Sequence, residues 1–235
     1  MHRTNDEQWM MRAIMLASSG HGRTWPNPSV GCVIVRDNIL IGEGQTSPRG
    51  RPHAETNALR AVAGSAEAAE VYVTLEPCAH QGQTPPCAYA LIEARVRRVF
   101  VAALDPDPRV NGRGLELLRA AGIDVVTGLC AAEANVGLRG FFHKLATGRP
   151  LVISGSCPSK DDGLRADAVL TSDQELQHIE GLAECGALAV RVPSSHDASQ
   201  LLDTLGAHGL TSVYVHRDDP LAKILERRGL VDDIG

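Results

Sequence analysis

His53, Cys78 and Cys87 are side chains of the kinds that hold zinc, and Glu55 lies two residues after the histidine. Three protein ligands are what a zinc ion takes when its fourth position is left to water; a structural zinc is closed by four. Water on such an ion loses its proton near neutral pH, and that proton needs an acceptor. Glu55 has the chemistry of that acceptor. His80, between the cysteines, could instead close the site as a fourth ligand, and two cysteines can also be plain buried thiols. The spare carboxylate favours the open site, because a closed one has no use for it.

These residues must be carried to one point by the elements around them. Apolar residues at helical spacing predict a first helix over residues 6–19, stopped by Gly20 and Gly22. Two prolines and a glycine make the stretch from Thr24 to Gly31 a rigid loop. A buried strand at 32–35, a turn at Asp37-Asn38 and a return strand at 39–44 form a hairpin. A helix from His53 to about Gly64 holds the His-x-Glu unit in its first turn, and another follows Cys87, over 88–94. Helix N-termini stabilise thiolates, so placing the ligands at helix starts is chemically sensible. Strands at 71–75, 99–104 and 123–126 alternate with a short helix near 115–121, and a helix over 131–145 closes this half. The pattern is that of an α/β layered domain with several parallel strand pairs.

Thr147-Gly148-Arg149-Pro150 marks the boundary. Beyond it lies a second, smaller α/β unit. Its strands are expected at 151–154, 168–170, 187–192 and 212–215, and its helices near 174–184, 198–207 and 221–228. The domains are therefore read as 1–147 and 148–235.

Composition narrows the function. The chain has 235 residues, a net charge of −5 and only 3% aromatics. An acidic chain with few stacking platforms is poorly suited to nucleic acid or an anionic membrane surface. No apolar run reaches the length of a membrane span, and residues 1–7 lack the apolar segment of a signal peptide. The protein is read as cytoplasmic, with six scattered cysteines that are mostly reduced.

His-x-Glu followed by Pro-Cys and a second cysteine is the signature of zinc deaminases, usually with two residues between the cysteines. Here the interval is longer. Thr24-x-Pro26-Asn27-Pro28-x-Val30-Gly31, Gly42-x-Gly44, His53-Ala54-Glu55, Glu76-Pro77-Cys78-x-His80-x-Gly82-x-Thr84-Pro85-Pro86-Cys87, the Asp105 to Gly112 segment and Gly140-Phe141-Phe142 together resemble the pyrimidine deaminases of riboflavin biosynthesis. The resemblance covers about residues 6–150. It implies a three-layer cytidine-deaminase-like fold on a five-stranded mixed sheet, and one zinc per chain held by His53, Cys78 and Cys87. It also implies Glu55 as proton carrier and a homodimer or homotetramer. The implied substrate is 2,5-diamino-6-ribosylamino-4-pyrimidinone 5′-phosphate, losing its 2-amino group as ammonia. Positions on the substrate side are Asn27, Thr46, His80, Gln83, Asp105 and Asp107.

Three of these depart from the pattern. Where the family usually has His, Lys and Asn, this chain has Thr46, Gln83 and Asp107. A lost cation and an added anion are unfavourable beside a phosphate; Arg49, Arg51, Arg109 and Arg113 could compensate. Deamination of an unphosphorylated pyrimidine or purine-like heterocycle is therefore a second reading. A non-catalytic assembly protein is a third, against which the intact Glu55 speaks. The tail resembles a truncated and degenerate reductase domain of the dihydrofolate-reductase type. Its Gly148-Arg149-Pro150-Leu151 and Asp167-Ala168-Val169-Leu170 segments match, but His216-Arg217-Asp218 stands where the family has Glu-Gly-Gly, the sequence ends before the family's final strands, and Ser159-Lys160-Asp161-Asp162-Gly163 is a reduced form of another motif. Glycines let a backbone approach a dinucleotide phosphate, and these residues do not. No NADPH-dependent activity is expected.

Overall fold

A computed structural model of the chain describes residues 3–79, 85–107, 110–155, 166–172, 188–191 and 197–234. Contacts divide the chain into two units. The first gathers Met1–Gly20, Ser29–Ser47 and Arg51–Val136; the second gathers His21–Pro28, Pro48–Gly50 and Gly137–Gly235.

The first unit opens with helix α1 (Asn5–Gly20), followed by strands β1 (Gly31–Arg36) and β2 (Ile39–Gln45). Asp37 and Asn38, both at positive φ, make the tight turn of this hairpin. Then come α2 (Ala54–Ala61), β3 (Glu70–Leu75), α3 (Cys87–Glu93), β4 (Arg98–Ala103), α4 (Arg113–Ala120), β5 (Asp124–Thr127) and α5 (Ala131–Thr147), which runs on into the second unit. Helix α2 is shorter than the sequence suggests. It stops at Ala61 because Val62 is extended, with its N–H turned back onto Leu59 O.

The strand order is β2-β1-β3-β4-β5. β1 pairs antiparallel with β2 and β3, while β3–β4 and β4–β5 are parallel, so the sheet is mixed as expected. Residues 32–35 are buried throughout, because both faces of the sheet are covered. On one face Met10 and Ala13 of α1 and Ala134 of α5 pack against Val33, Val35, Tyr72 and Phe100. Gly31 lets α1 sit directly on the sheet, since a side chain there would run into the Ala13 carbonyl. Gly44 does the same for α2, where a Cβ would meet Ala58 N and Ala54 O. Helix α2, which follows directly from His53 and carries Glu55, is thus seated closely on β2 at Gly44.

The second unit holds β6 (Leu151–Gly155), β7 (Ala168–Thr171), β8 (Leu188–Arg191), α6 (Ala198–Ala207), β9 (Ser212–His216), α7 (Pro220–Arg227) and β10 (Asp233–Ile234). Its strand order is β10-β6-β9-β7-β8, and every described pairing is parallel. Val152, Leu170, Val213 and Val215 pack one face against Leu202, Leu205, Leu221 and Leu225 of α6 and α7. Asp197 and Asp219 cap those helices, accepting from Ser199 N and Leu221 N. The helix expected near 174–184 lies outside the described residues. No helix among the described residues is long and apolar enough to cross a membrane.

Candidate metal centre and active site

His53 is the N-cap of α2 and Glu55 is the second residue of that helix. Cys87 is the first residue of α3. Cys78 lies in the loop three residues past the end of β3 and is not at a helix start. It reaches one all the same, because the Cys87 N–H at the head of α3 donates to Cys78 Sγ at 3.3 Å. A thiolate there meets the positive end of α3.

The three ligand atoms lie within 4.8 Å of one another. His53 Nδ1 is 3.4 Å from Cys87 Sγ and 3.7 Å from Cys78 Sγ. A tetrahedral zinc with its usual bonds to nitrogen and sulfur holds those atoms about 3.6 Å apart. The donor set and the spacing therefore both fit zinc. The charges fit as well. The Cys78 thiol is held down to about 4, first by the hydrogen bond from Cys87 and then by His53, while Cys87 is pushed up, chiefly by its bond to Cys78. His53 is raised through its bond to Cys78. Zinc takes cysteine as thiolate, so a bound ion would release the protons these groups hold. Glu55 is buried, and burial is the main cause that pushes its carboxyl up to about 7, against the pull of His53. That is the range in which a carboxyl both takes and gives a proton near neutrality.

The remaining expected positions divide. Thr46 is buried and its hydroxyl is committed to the backbone of Val30: it accepts from Val30 N at 3.0 Å. Asn27 Nδ2 donates to Gly50 O at 2.8 Å, pinning the Pro48–Gly50 turn. A side chain at Gly50 would strike that amide. Asp105 and Asp107 are both buried, and Asp105 Oδ1 accepts from Asp107 N at 2.9 Å, so this pair folds on itself in the loop after β4. His80, Gln83 and Arg109 lie outside the described residues.

Two residues to which the sequence assigns no role shape the site. Asn57, two residues past Glu55, donates from Nδ2 to Gln45 O at 2.7 Å and to Ser47 Oγ at 2.9 Å, bracing the loop that leads to His53. Glu76 is a buried carboxylate beside the Cys78 loop. Its signal in the sequence is a charge directly after the apolar run 71–75.

Residues 3–103 match the cytidine and deoxycytidylate deaminase zinc-binding region. A diaminohydroxyphosphoribosylamino-pyrimidine deaminase of Buchnera aphidicola (subsp. Acyrthosiphon pisum) is 47% identical over 146 residues, which are 62% of this chain and 99% of that protein. The chain belongs to the diaminohydroxyphosphoribosylaminopyrimidine deaminase family. The riboflavin biosynthesis protein RibD of Escherichia coli is 51% identical over 147 residues, 63% of this chain and 40% of that one. The chain thus matches well under half the length of this larger family member. Among solved structures, RibD of Acinetobacter baumannii superposes with a TM-score of 0.77 at 31% identity, covering 98% of this chain and 85% of that one. The family likeness therefore extends through the second unit, beyond the deaminase half.

Proposed function

We propose that this chain is a zinc-dependent aminohydrolase that removes the 2-amino group of 2,5-diamino-6-ribosylamino-4-pyrimidinone 5′-phosphate. The observation that carries this reading is the cluster of His53 Nδ1, Cys78 Sγ and Cys87 Sγ within 4.8 Å, with a buried carboxylate two residues along the same helix. Zinc, when bound, acidifies water to a pKa of about 7 and so supplies the nucleophile. Glu55 takes the water proton and delivers it to the ring nitrogen next to the attacked carbon. It then carries the proton of the added hydroxyl to the amine; the carbon–nitrogen bond breaks, the carbonyl forms and ammonia leaves. Its first-turn position on α2 steadies the carboxylate toward the positive helix end between transfers.

Zinc analysis with an ammonia-release panel tests this reading. Aminopyrimidines and purines are offered as base, nucleoside and phosphate. One zinc per chain and phosphate-dependent turnover are expected. Preference for unphosphorylated compounds would favour the second reading, a deaminase of another small heterocycle. Two features speak for that second reading: Asp107 puts a buried carboxyl, where the family pattern has an amide, in the loop after β4, and the Thr46 hydroxyl is already spent on Val30.

The second unit is read as lacking NADPH-dependent activity. After β9, Asp218 N donates to His216 Nδ1 at 3.2 Å and Arg217 N to Gly155 O at 2.8 Å. The His216 side chain closes a turn where close backbone approach to a phosphate would need glycines. Saturable NADPH binding by the purified chain would sink this. The protein is expected in the cytoplasm, where the described free cysteines Cys32, Cys78, Cys87 and Cys130 stay reduced, and as a homodimer or homotetramer.

A further inference from the structure

Glu76 stands between the last residue of β3 and the Pro77-Cys78 step that delivers a metal ligand. Its carboxylate is buried and accepts three backbone N–H groups. Oε2 takes Gly112 N at 3.1 Å and Asp105 N at 3.4 Å, and Oε1 takes Gly114 N at 3.2 Å. Its own N–H donates to Ala103 O at 3.0 Å. One residue thus ties the ligand segment to both ends of the connection between β4 and α4. Two of the three donors lie at the head of α4, where Gly112 is the N-cap and Gly114 the second helical residue, so the carboxylate also meets a helix N-terminus. The seam is tight. A Cβ on Gly114 would run into the Pro77 carbonyl oxygen, one residue from Cys78. The clamped connection carries the buried Asp105 and Asp107.

We propose that Glu76 is a positioning residue that sets the Cys78 ligand and the Asp105–Asp107 loop at a fixed spacing, so that metal retention and substrate affinity depend on one buried carboxylate. The substrate half of this inference rests on the deaminase reading; the metal half does not. Groups that hold ligands in place are worth about 10- to 100-fold in metal affinity or activity. Glutamine has the size of glutamate but turns an –NH₂ group toward N–H donors in place of one oxygen.

The test uses the whole zinc-loaded chain. Zinc release to a chromogenic chelator is timed, and KM and kcat are measured by ammonia release from the aminopyrimidine phosphate. In Glu76→Gln, zinc release is expected to quicken by about tenfold or more and KM to rise by a similar factor, with kcat much less affected. Release at the wild-type rate with an unchanged KM overturns the proposal, whatever happens to the melting temperature, since that pattern belongs to a merely structural carboxylate. Gly114→Ala attacks the same seam from the α4 side and serves if Glu76→Gln does not fold. It should show the same fast release. The double variant should be no worse than the more severe single one, because both act through one contact; additive losses count against the clamp. If wild type holds zinc but releases no ammonia from any compound, the deaminase reading fails and the zinc-release rates still decide the clamp.

Discussion

The described residues form two five-stranded sheets whose strand ends are finished in different ways. Past β3 and β4 of the first sheet lie Glu76, Cys78, Asp105 and Asp107, and the polar groups buried there have work to do. Glu76 takes three N–H groups, Thr74 Oγ1 takes Gly31 N at 3.1 Å and Asp105 takes Asp107 N. At the ends of β6 and β7 in the second sheet, Ser154 Oγ, Thr171 Oγ1 and Ser172 Oγ are buried with no hydrogen-bond partner among the described residues. Buried hydroxyls without partners destabilise by about 1–3 kcal/mol each. The second unit keeps its apolar core and its helix caps. What differs is the use made of the strand ends. A parallel sheet offers a place for chemistry, and the few residues after each strand decide whether chemistry is put there.

The sharpest way to break this contrast is to remove a ligand. Cys87→Ser or His53→Ala should strip the zinc and take ammonia release to background, read by metal analysis on the purified chain. If turnover survives without zinc, the first sheet's strand ends are not the reactive place. Next in size is Glu55→Gln. Proton carriers contribute about 10²- to 10⁴-fold, so kcat should fall by that much while zinc stays at one per chain. Loss of zinc together with activity would make Glu55 a structural or ligating group. Smaller again is Thr46→Val. It leaves the Val30 N–H without its acceptor and should cost about 1–3 kcal/mol of stability by denaturant titration. KM should change little, because that hydroxyl already faces backbone. A large rise in KM would restore Thr46 to the substrate side.

Much of the first unit is legible in the sequence because its signals are local. The His-x-Glu spacing in a helical pattern, the turn at Asp37-Asn38 and the glycines of Gly42-x-Gly44 each fix a feature within a few residues. The ligand cluster is legible for a different reason: only a few residue types bind zinc, so their long separation in sequence does not hide them. Glu76 is visible as part of the Glu-Pro-Cys motif, but its role is not legible. Its partners Asp105, Gly112 and Gly114 are about thirty or more residues away, and they offer backbone N–H groups, which carry no residue identity. Asn57 is hidden in the same way, since two of its acceptors are a carbonyl and a hydroxyl in a loop. The end of α2 was overestimated because Val62 continues the apolar pattern while its backbone has already left the helix. The resemblance places Asn27 and Thr46 on the substrate side, and the structure shows Asn27 Nδ2 engaged with Gly50 and Thr46 Oγ1 with Val30.

The smallest effect expected comes from the second unit and concerns Asp167. Its Oδ2 accepts from Thr211 N at 2.6 Å, Thr211 Oγ1 at 2.7 Å and Ser212 N at 3.2 Å, stapling the start of β7 to the start of β9. Burial still wins over these bonds and raises its carboxyl above the ordinary value. The folded chain therefore binds this proton more tightly than the unfolded chain does. The stability Asp167 contributes is complete below the unfolded carboxylate pKa and is lost as pH rises through the higher folded value. Asp167→Asn can keep all three bonds on its single carbonyl oxygen and has no proton to lose. Denaturant titrations across the acid range should show the wild-type slope flattened in this variant, with stability near neutral pH within about 1 kcal/mol of wild type. Zinc content and ammonia release should not move. A variant that unfolds at neutral pH would mean that the charge itself holds Thr211 and Ser212 in place. The second unit would then depend on a buried carboxylate as the first is proposed to depend on Glu76, and the difference between the two sheets would narrow to the metal ligands alone.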